Sequence, residues 1–137
     1  MNADLIAAGL SPFDPAAAYI RAGRLMLEEL RRHTAAGESF AFETTLAGRN
    51  YARLIPRWQA AGYWVHLTFL QLQNEDLAVQ RVAVRVAQGG HDVPEPVIRR
   101  RFGKGCANFQ NVYRKLVNSW QLYVNSGEQP ILLDQFP

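Results

Sequence analysis

An α/β fold with a parallel sheet covered on both faces is what this sequence predicts, and three observations predict it. Short apolar runs of strand length, Phe40-Ala41-Phe42 and Val65-His66-Leu67-Thr68-Phe69-Leu70, alternate with stretches whose apolar residues recur at helical spacing. Glycines mark the changes of period, at Gly37, Gly62 and Gly89-Gly90. The strand-like runs are nearly continuous in apolar residues, as strands buried on both faces are. At 137 residues the chain is expected to be one domain, 1–137, with a single core.

The elements follow in order. Asp14-Pro15 reads as a cap followed by proline at the first helical position, opening a helix over about 15–36 that stops at Gly37. Tyr19, Gly23, Met26, Leu27 and Leu30 share one face of it, and Arg24, Glu28 and Arg32 form an i, i+4 ladder on the solvent face. Residues 39–44 read as a buried strand. A helix over about 50–61 carries Tyr51, Leu54, Ile55 and Trp58 on one stripe and ends at Gly62; Pro56 is expected to kink or shorten it. Residues 65–70 form the next strand, on which His66 reads as a strand-face residue rather than a catalyst. Asn74 caps a helix over about 75–88, ending at Gly89-Gly90. The last helix opens near Pro94 and runs to about Asn118, burying Ile98, Phe102, Phe109, Val112 and Leu116. Strands at Gln121–Val124 and Ile131–Leu133 close the chain, joined through the turn residues Asn125-Ser126-Gly127.

Composition narrows the function. Hydrophobic residues make up 48% of the chain and charged residues 20%, a globular balance. No apolar stretch approaches the roughly 20 residues of a membrane helix, and the N-terminus lacks a basic-then-apolar leader pattern. Cys106 is the one cysteine, which excludes an intrachain disulfide, and no Cys/His spacing suggests a metal site. A reducing, cytoplasmic setting is expected, with no membrane partner. The net charge is +3, with 13 Arg against Lys104 and Lys115. Arginine suits planar recognition of phosphate or carboxylate. The excess is modest and lacks the aromatic–basic interleaving of single-strand binders, so nucleic acid is not the expected partner.

Three groups of residues carry candidate chemistry. Glu43-Thr44-Thr45 stands where the first apolar run ends, and ligands of open α/β sheets bind beyond the carboxyl ends of strands. A carboxylate there accepts hydrogen bonds from ligand hydroxyls; the plainer reading is a turn or helix cap. Asp4 stands at a similar edge if a short strand precedes it, where it could take the proton of an attacking hydroxyl; otherwise it caps the short helix that follows. The third group is basic. Arg81 and Arg85 share a helix face; after the glycine pair come His91 and Arg99-Arg100-Arg101, and Arg101, Lys104 and Asn108 share another face. Two arginine-bearing helices flanking a glycine break read as a lid over about 80–104, or as solvated surface.

Together the stretches NADLIAAGLSPFDP, RAGRLMLEEL, GESFAFETTLAGRNYARLI, AAGYWVHLTFLQL, QRVAVRVAQGGHDVPEPVIRRRF and YVNSG resemble the zeta-toxin-like ATP-dependent kinases, a branch of the P-loop NTPases. The resemblance spans Asn2 to about Leu133. It implies a three-layer αβα domain with a mainly parallel sheet, which moves the ATP γ-phosphate to a hydroxyl of a small, nucleotide-sugar-like acceptor. By resemblance Asp4 is the general base, Glu43, Thr44 and Thr45 bind the acceptor, and Arg85 and Arg101 act on the moving phosphate. Arg81, His91 and Lys104 are further lid or phosphate candidates, and an antitoxin protein is an implied partner.

The departure from that pattern is at the N-terminus. The family's first, central strand and its G-x-x-x-x-G-K-[ST] loop would precede Asn2, and none of the ten glycines stands in that spacing. The loop cradles the β- and γ-phosphates and helps hold Mg²⁺. ATP and Mg²⁺ are therefore cofactors of the complete family domain and are not expected to bind tightly here. The chain is expected to be an N-terminally truncated, inactive kinase domain, self-associating through open strand edges. The alternative expectation is a non-catalytic remnant that keeps the acceptor pocket or a protein-interaction edge.

Overall fold

A computed structural model describes all residues, 1–137. The chain is a mixed α/β protein with a three-stranded sheet. It divides into two compact units, Met1–Thr44 and Thr45–Pro137.

The first unit holds α1 (Ala3–Leu10), a 3₁₀ turn (Pro15–Ala18) and α2 (Tyr19–Ala36). Asp14 caps the 3₁₀ turn, its Oδ1 accepting from Ala17 N at 3.3 Å. Ala7 and Ala22 are fully buried where α1 and α2 pack, joined by Ala18 and flanked by Ile6, Leu10 and Tyr19. Alanines at such a contact let the backbones approach closely with no rotamer entropy to lose. Along α2, Met26 and Leu30 are buried as expected, but Ala22 is the third buried residue, and Tyr19, Gly23 and Leu27 are only half-buried. The expected Arg24–Glu28–Arg32 ladder does not form. Arg32 pairs with Glu29 at 2.9 Å instead, and its reach toward Glu38 is 3.7 Å. Gly37 ends the helix at φ 69°, with Gly37 N–H donating to Thr34 O and Glu38 N–H to His33 O.

Residues 39–44 are not a strand. They have no sheet partner along their length, and Phe40 and Phe42 are only half-buried. A strand exists only where another segment supplies its hydrogen bonds. Here the neighbouring backbone is limited to the Met1 end, which donates its amino group to Ala41 O at 2.6 Å and accepts from Glu43 N at 2.9 Å. That alternation is the bond pattern of a parallel pair, one residue long.

The second unit contains α3 (Asn50–Ala60), β1 (His66–Gln71), α4 (Glu75–Ala87), α5 (Glu95–Asn111), a 3₁₀ turn (Tyr113–Lys115), β2 (Ser119–Val124) and β3 (Ile131–Phe136). Helix α3 continues through Pro56 to Ala60, and Gly62 follows its cap at φ 91°. Asn74 caps α4, its Oδ1 accepting from Leu77 N at 2.9 Å. Helix α5 ends earlier than its apolar period suggests, because Val112 leaves helical geometry at φ −126° and ψ −68°. The buried set shifts accordingly: Ile98 and Phe109 are buried as expected, but Tyr113 and Val117 take the places assigned to Val112 and Leu116.

The sheet order is β1-β2-β3, with β1 parallel and β3 antiparallel to β2. Phe109 of α5 covers one face, stacking on Phe69 with centroids 4.6 Å apart and meeting Trp120 edge-on at 5.6 Å. Burial on both faces, expected for the 65–70 strand, is not found: His66, Thr68 and Leu70 are exposed. His66 is indeed a strand-face residue. Its Nδ1 lies 2.7 Å from Ser119 Oγ, and that oxygen also accepts from Trp64 Nε1 at 3.1 Å. Asn118 Oδ1 pins the start of the pairing, accepting from Val65 N at 2.8 Å and Gln59 Nε2 at 3.1 Å. All six residues of β3 are exposed. No helix is long and apolar enough to cross a membrane.

Candidate functional site

In the first unit the candidate residues gather around Asn2. Its side-chain oxygen caps α1, accepting from Asp4 N at 2.8 Å and Leu5 N at 3.4 Å. Its amide nitrogen donates to Glu43 Oε2 at 2.8 Å. One carboxamide thus uses both ends, helix cap on one side and carboxylate on the other. The cap belongs to Asn2, so Asp4 is a first-turn residue with an exposed side chain, contrary to the reading of Asp4 as the cap. The ion pairs of the chain lie elsewhere. Glu43 is left with one oxygen unengaged by Asn2, able to accept from a hydroxyl, and Asp4 is open to solvent.

In the second unit Thr45 begins a loop bound tightly to α5. A Cβ on Gly105 would stand 2.7 Å from Thr45 O, so only glycine lets the helix and loop come this close. Asn108, 6% exposed, donates from Nδ2 to Leu46 O at 2.8 Å and Ala47 O at 3.2 Å. Its Oδ1 accepts from Arg49 Nε at 3.2 Å. Tyr113 donates its hydroxyl to Gly48 O at 2.7 Å. Burial pushes the Tyr113 hydroxyl pKa up, opposed by the N–H groups of Ala52 and Tyr51 at the start of α3 and by the Arg49 charge. The loop holds Leu46 at φ 56°, a left-handed conformation for a buried branched residue. Such geometry costs about 1–3 kcal/mol and persists only where its surroundings over-determine it. Thr45 Oγ1 accepts from Ala47 N at 3.4 Å, and Thr44 and Thr45 are both exposed.

The basic candidates occupy α4 and α5, which pack together. Arg81 and Arg85 line an open groove of about 610 Å³ with Leu72, Ala78, Val82, Val84, Gln88 and Ile98, and neither forms an ion pair. Gly89 takes φ 89°, and the bonds Gly89 N–H to Val86 O and Gly90 N–H to Arg85 O close the helix. The position usually filled by a hydrophobic partner is Gly90. A Cβ there would meet Arg85 Cγ at 2.6 Å, so the stem of Arg85 lies across a bare backbone. His91 follows in the connecting loop and is half-buried. On α5, Arg101 precedes Gly105 by four residues and so lies on its side of the helix, whereas Lys104 is exposed and points about a quarter-turn away. Arg99 is engaged elsewhere: it contacts Asp76 at 2.7 Å, Glu95 at 2.8 Å and Glu75 at 3.6 Å, fastening α5 to the start of α4.

The groove arginines fit a phosphate in charge; no three His, Cys, Asp or Glu side chains converge as metal ligands. The sequence reading missed Asn2, Arg49, Gly105 and Tyr113, and took Asn108 only for its spacing from Arg101. The available signals were small: a glycine pair in a helix, Gly103 and Gly105, and a polar Asn108 beside Phe109 on an apolar face.

The zeta toxin family model matches residues 14–134, and the chain belongs to that family. Membership suggests a P-loop, kinase-like domain. An uncharacterized protein of Haemophilus influenzae (strain ATCC 51907 / DSM 11121 / KW20 / Rd) is 27% identical over 106 residues, covering 74% of this chain and 73% of its own length. No solved structure matches. The matched region includes Glu43, Thr44, Thr45 and every basic candidate; Asp4 lies before it.

Proposed function

We propose that this chain is the acceptor-binding part of a zeta-toxin-type, ATP-dependent kinase domain, built as three αβα layers whose first, central strand is not among these 137 residues. The acceptor is a small molecule with a reactive hydroxyl, of the nucleotide-sugar kind. Glu43 accepts a hydrogen bond from an acceptor hydroxyl, Thr44 and Thr45 line the same segment, and Asp4 takes the proton of the hydroxyl that is phosphorylated. Arg85 and Arg101, with Arg81, His91 and Lys104 as further candidates, are the cations that would neutralise a transferring phosphoryl group. The supporting observation is Asn2, whose one side chain ties the Glu43 carboxylate to the first turn of α1, where Asp4 stands. When bound, ATP with Mg²⁺ supplies the phosphoryl group. The sequence contains no G-x-x-x-x-G-K-[ST] loop to cradle it, so these residues alone bind acceptor but transfer nothing measurable.

Calorimetric titration of the purified chain with a UDP-N-acetyl amino sugar, and separately with Mg·ATP, tests this reading. Acceptor binding that Glu43→Gln weakens by about tenfold, the loss of one charge-assisted hydrogen bond, is the expected result. Asp4→Asn should leave that affinity within about twofold, since a base acts on the transition state rather than on binding. Absence of acceptor binding removes the reading, and tight Mg·ATP binding removes its account of inactivity.

A further inference from the structure

Five consecutive residues, Thr45 to Arg49, are held by α5 and the turn after it. Gly105 admits the carbonyl of Thr45, Asn108 binds those of Leu46 and Ala47, and Tyr113 binds that of Gly48. The last contact is different in kind. Asn108 Oδ1 accepts from Arg49 Nε at 3.2 Å, so the amide fixes the guanidinium by its inner nitrogen. The loop is nevertheless exposed at Thr45, Gly48 and Arg49. A buried amide that orients an exposed cation on a strained backbone is the arrangement of a prepared binding group.

Other arginines in this chain show what a structural role looks like here. Arg99 is saturated by Asp76, Glu95 and Glu75, and Arg32 by Glu29 with Glu38. Arg49, like Arg81 and Arg85, has no carboxylate; it differs from them in being held at Nε by Asn108. Its charge is uncompensated, and its two terminal nitrogens remain available as a planar fork. A fork of that geometry matches the paired oxygens of a phosphate or a carboxylate.

We infer that Arg49 is an oxyanion-binding residue, positioned by Asn108, and that the molecule bound at the Thr45–Arg49 loop carries a phosphate or carboxylate group there. The kinase reading enters only in saying whether that group belongs to the acceptor or to ATP; the oxyanion contact stands without it.

The test uses the full 137-residue chain labelled with ¹⁵N, following the Arg49 Nε–Hε resonance during titration with sodium phosphate and with sodium acetate, each against sodium chloride at equal ionic strength. The expected result is a saturable shift with one of the two oxyanions; the tighter names the group. Arg49→Gln should abolish saturation in the remaining loop resonances. Arg49→Lys, which keeps charge but loses the fork, should weaken it by about tenfold. Asn108→Asp keeps an acceptor for Arg49 Nε but adds a competing carboxylate and loses the donor to the Leu46 and Ala47 carbonyls, so it should also weaken saturation by about tenfold. A response no different from chloride, or unchanged saturation in Arg49→Gln, overturns the inference. Repeating the titration with ATP and with a UDP-sugar assigns the group to one source. Oxyanion binding at Arg49 without acceptor binding would fail the kinase reading alone.

Discussion

Gly103 and Gly105 stand two apart on α5 and differ in what surrounds them. A Cβ at Gly103 meets nothing within 4 Å, whereas at Gly105 it would meet Thr45 O at 2.7 Å. Gly103→Ala should therefore stabilise the fold by about 0.5–1 kcal/mol through reduced unfolded-chain entropy. Gly105→Ala should destabilise it by about 1–3 kcal/mol through forced displacement of the loop. Urea unfolding of the two variants, opposite in sign on one helix, checks both. Tyr113 makes a pH prediction. Its folded pKa is raised above the ordinary value of 10.0, first by burial, so the neutral hydroxyl is the form that the fold favours. Below that value both states are protonated and the stability is intact; as pH rises through it the unfolded chain ionises first and stability falls. Tyr51 and Cys106 are raised by burial too, the thiol from 9.0, so the fall begins near the thiol's range. Tyr113→Phe should cost about 0.5–1.5 kcal/mol at neutral pH, from the lost bond to Gly48 O, and make the alkaline decline shallower. Denaturation curves from neutral to alkaline pH separate the two effects.

Helices were legible as elements because their signals are local. The Asn74 cap of α4, the Asp14-Pro15 start and the glycines at 37, 62 and 89 stand in the structure where the sequence puts them. Asn74→Ala should cost about 1 kcal/mol by orphaning Leu77 N–H, and circular dichroism on thermal melting should show the loss. Two elements were misread, each for a stated reason. The apolar stretch 39–44 has strand composition but lacks a partner along its length, and composition cannot provide one. Helix α5 carries a helical apolar period past Val112, yet the backbone turns there so that Tyr113 reaches Gly48 O. A 59-to-65-residue separation between Arg49 and Asn108 and between Gly48 and Tyr113 keeps those contacts out of any local window.

The second unit is organised around β2, the strand with neighbours on both sides. Its amides should be among the most protected in hydrogen exchange, with those of β3 among the fastest in the sheet, since all six β3 residues are exposed. Ile131, Leu132, Leu133 and Phe136 leave β3 an apolar edge, the kind that pairs with other chains. If that edge drives self-association, sedimentation should show a concentration-dependent increase in mass that Leu133→Lys reduces. Local sequence signals sufficed for the family, the main helices with the Asn74 and Asp14 caps, the β2–β3 hairpin and the residue types around which a kinase site is argued. Only the tertiary structure decided that Asn2 joins Glu43 to α1, that Asn108 holds Arg49, and that Phe40–Thr44 is not a strand. The reason is where the hydrogen bonds lie. A helix closes its own bonds four residues back and so can be read from one stretch, whereas a strand, a clamped loop and a shared carboxamide are completed by residues that the chain supplies from far away.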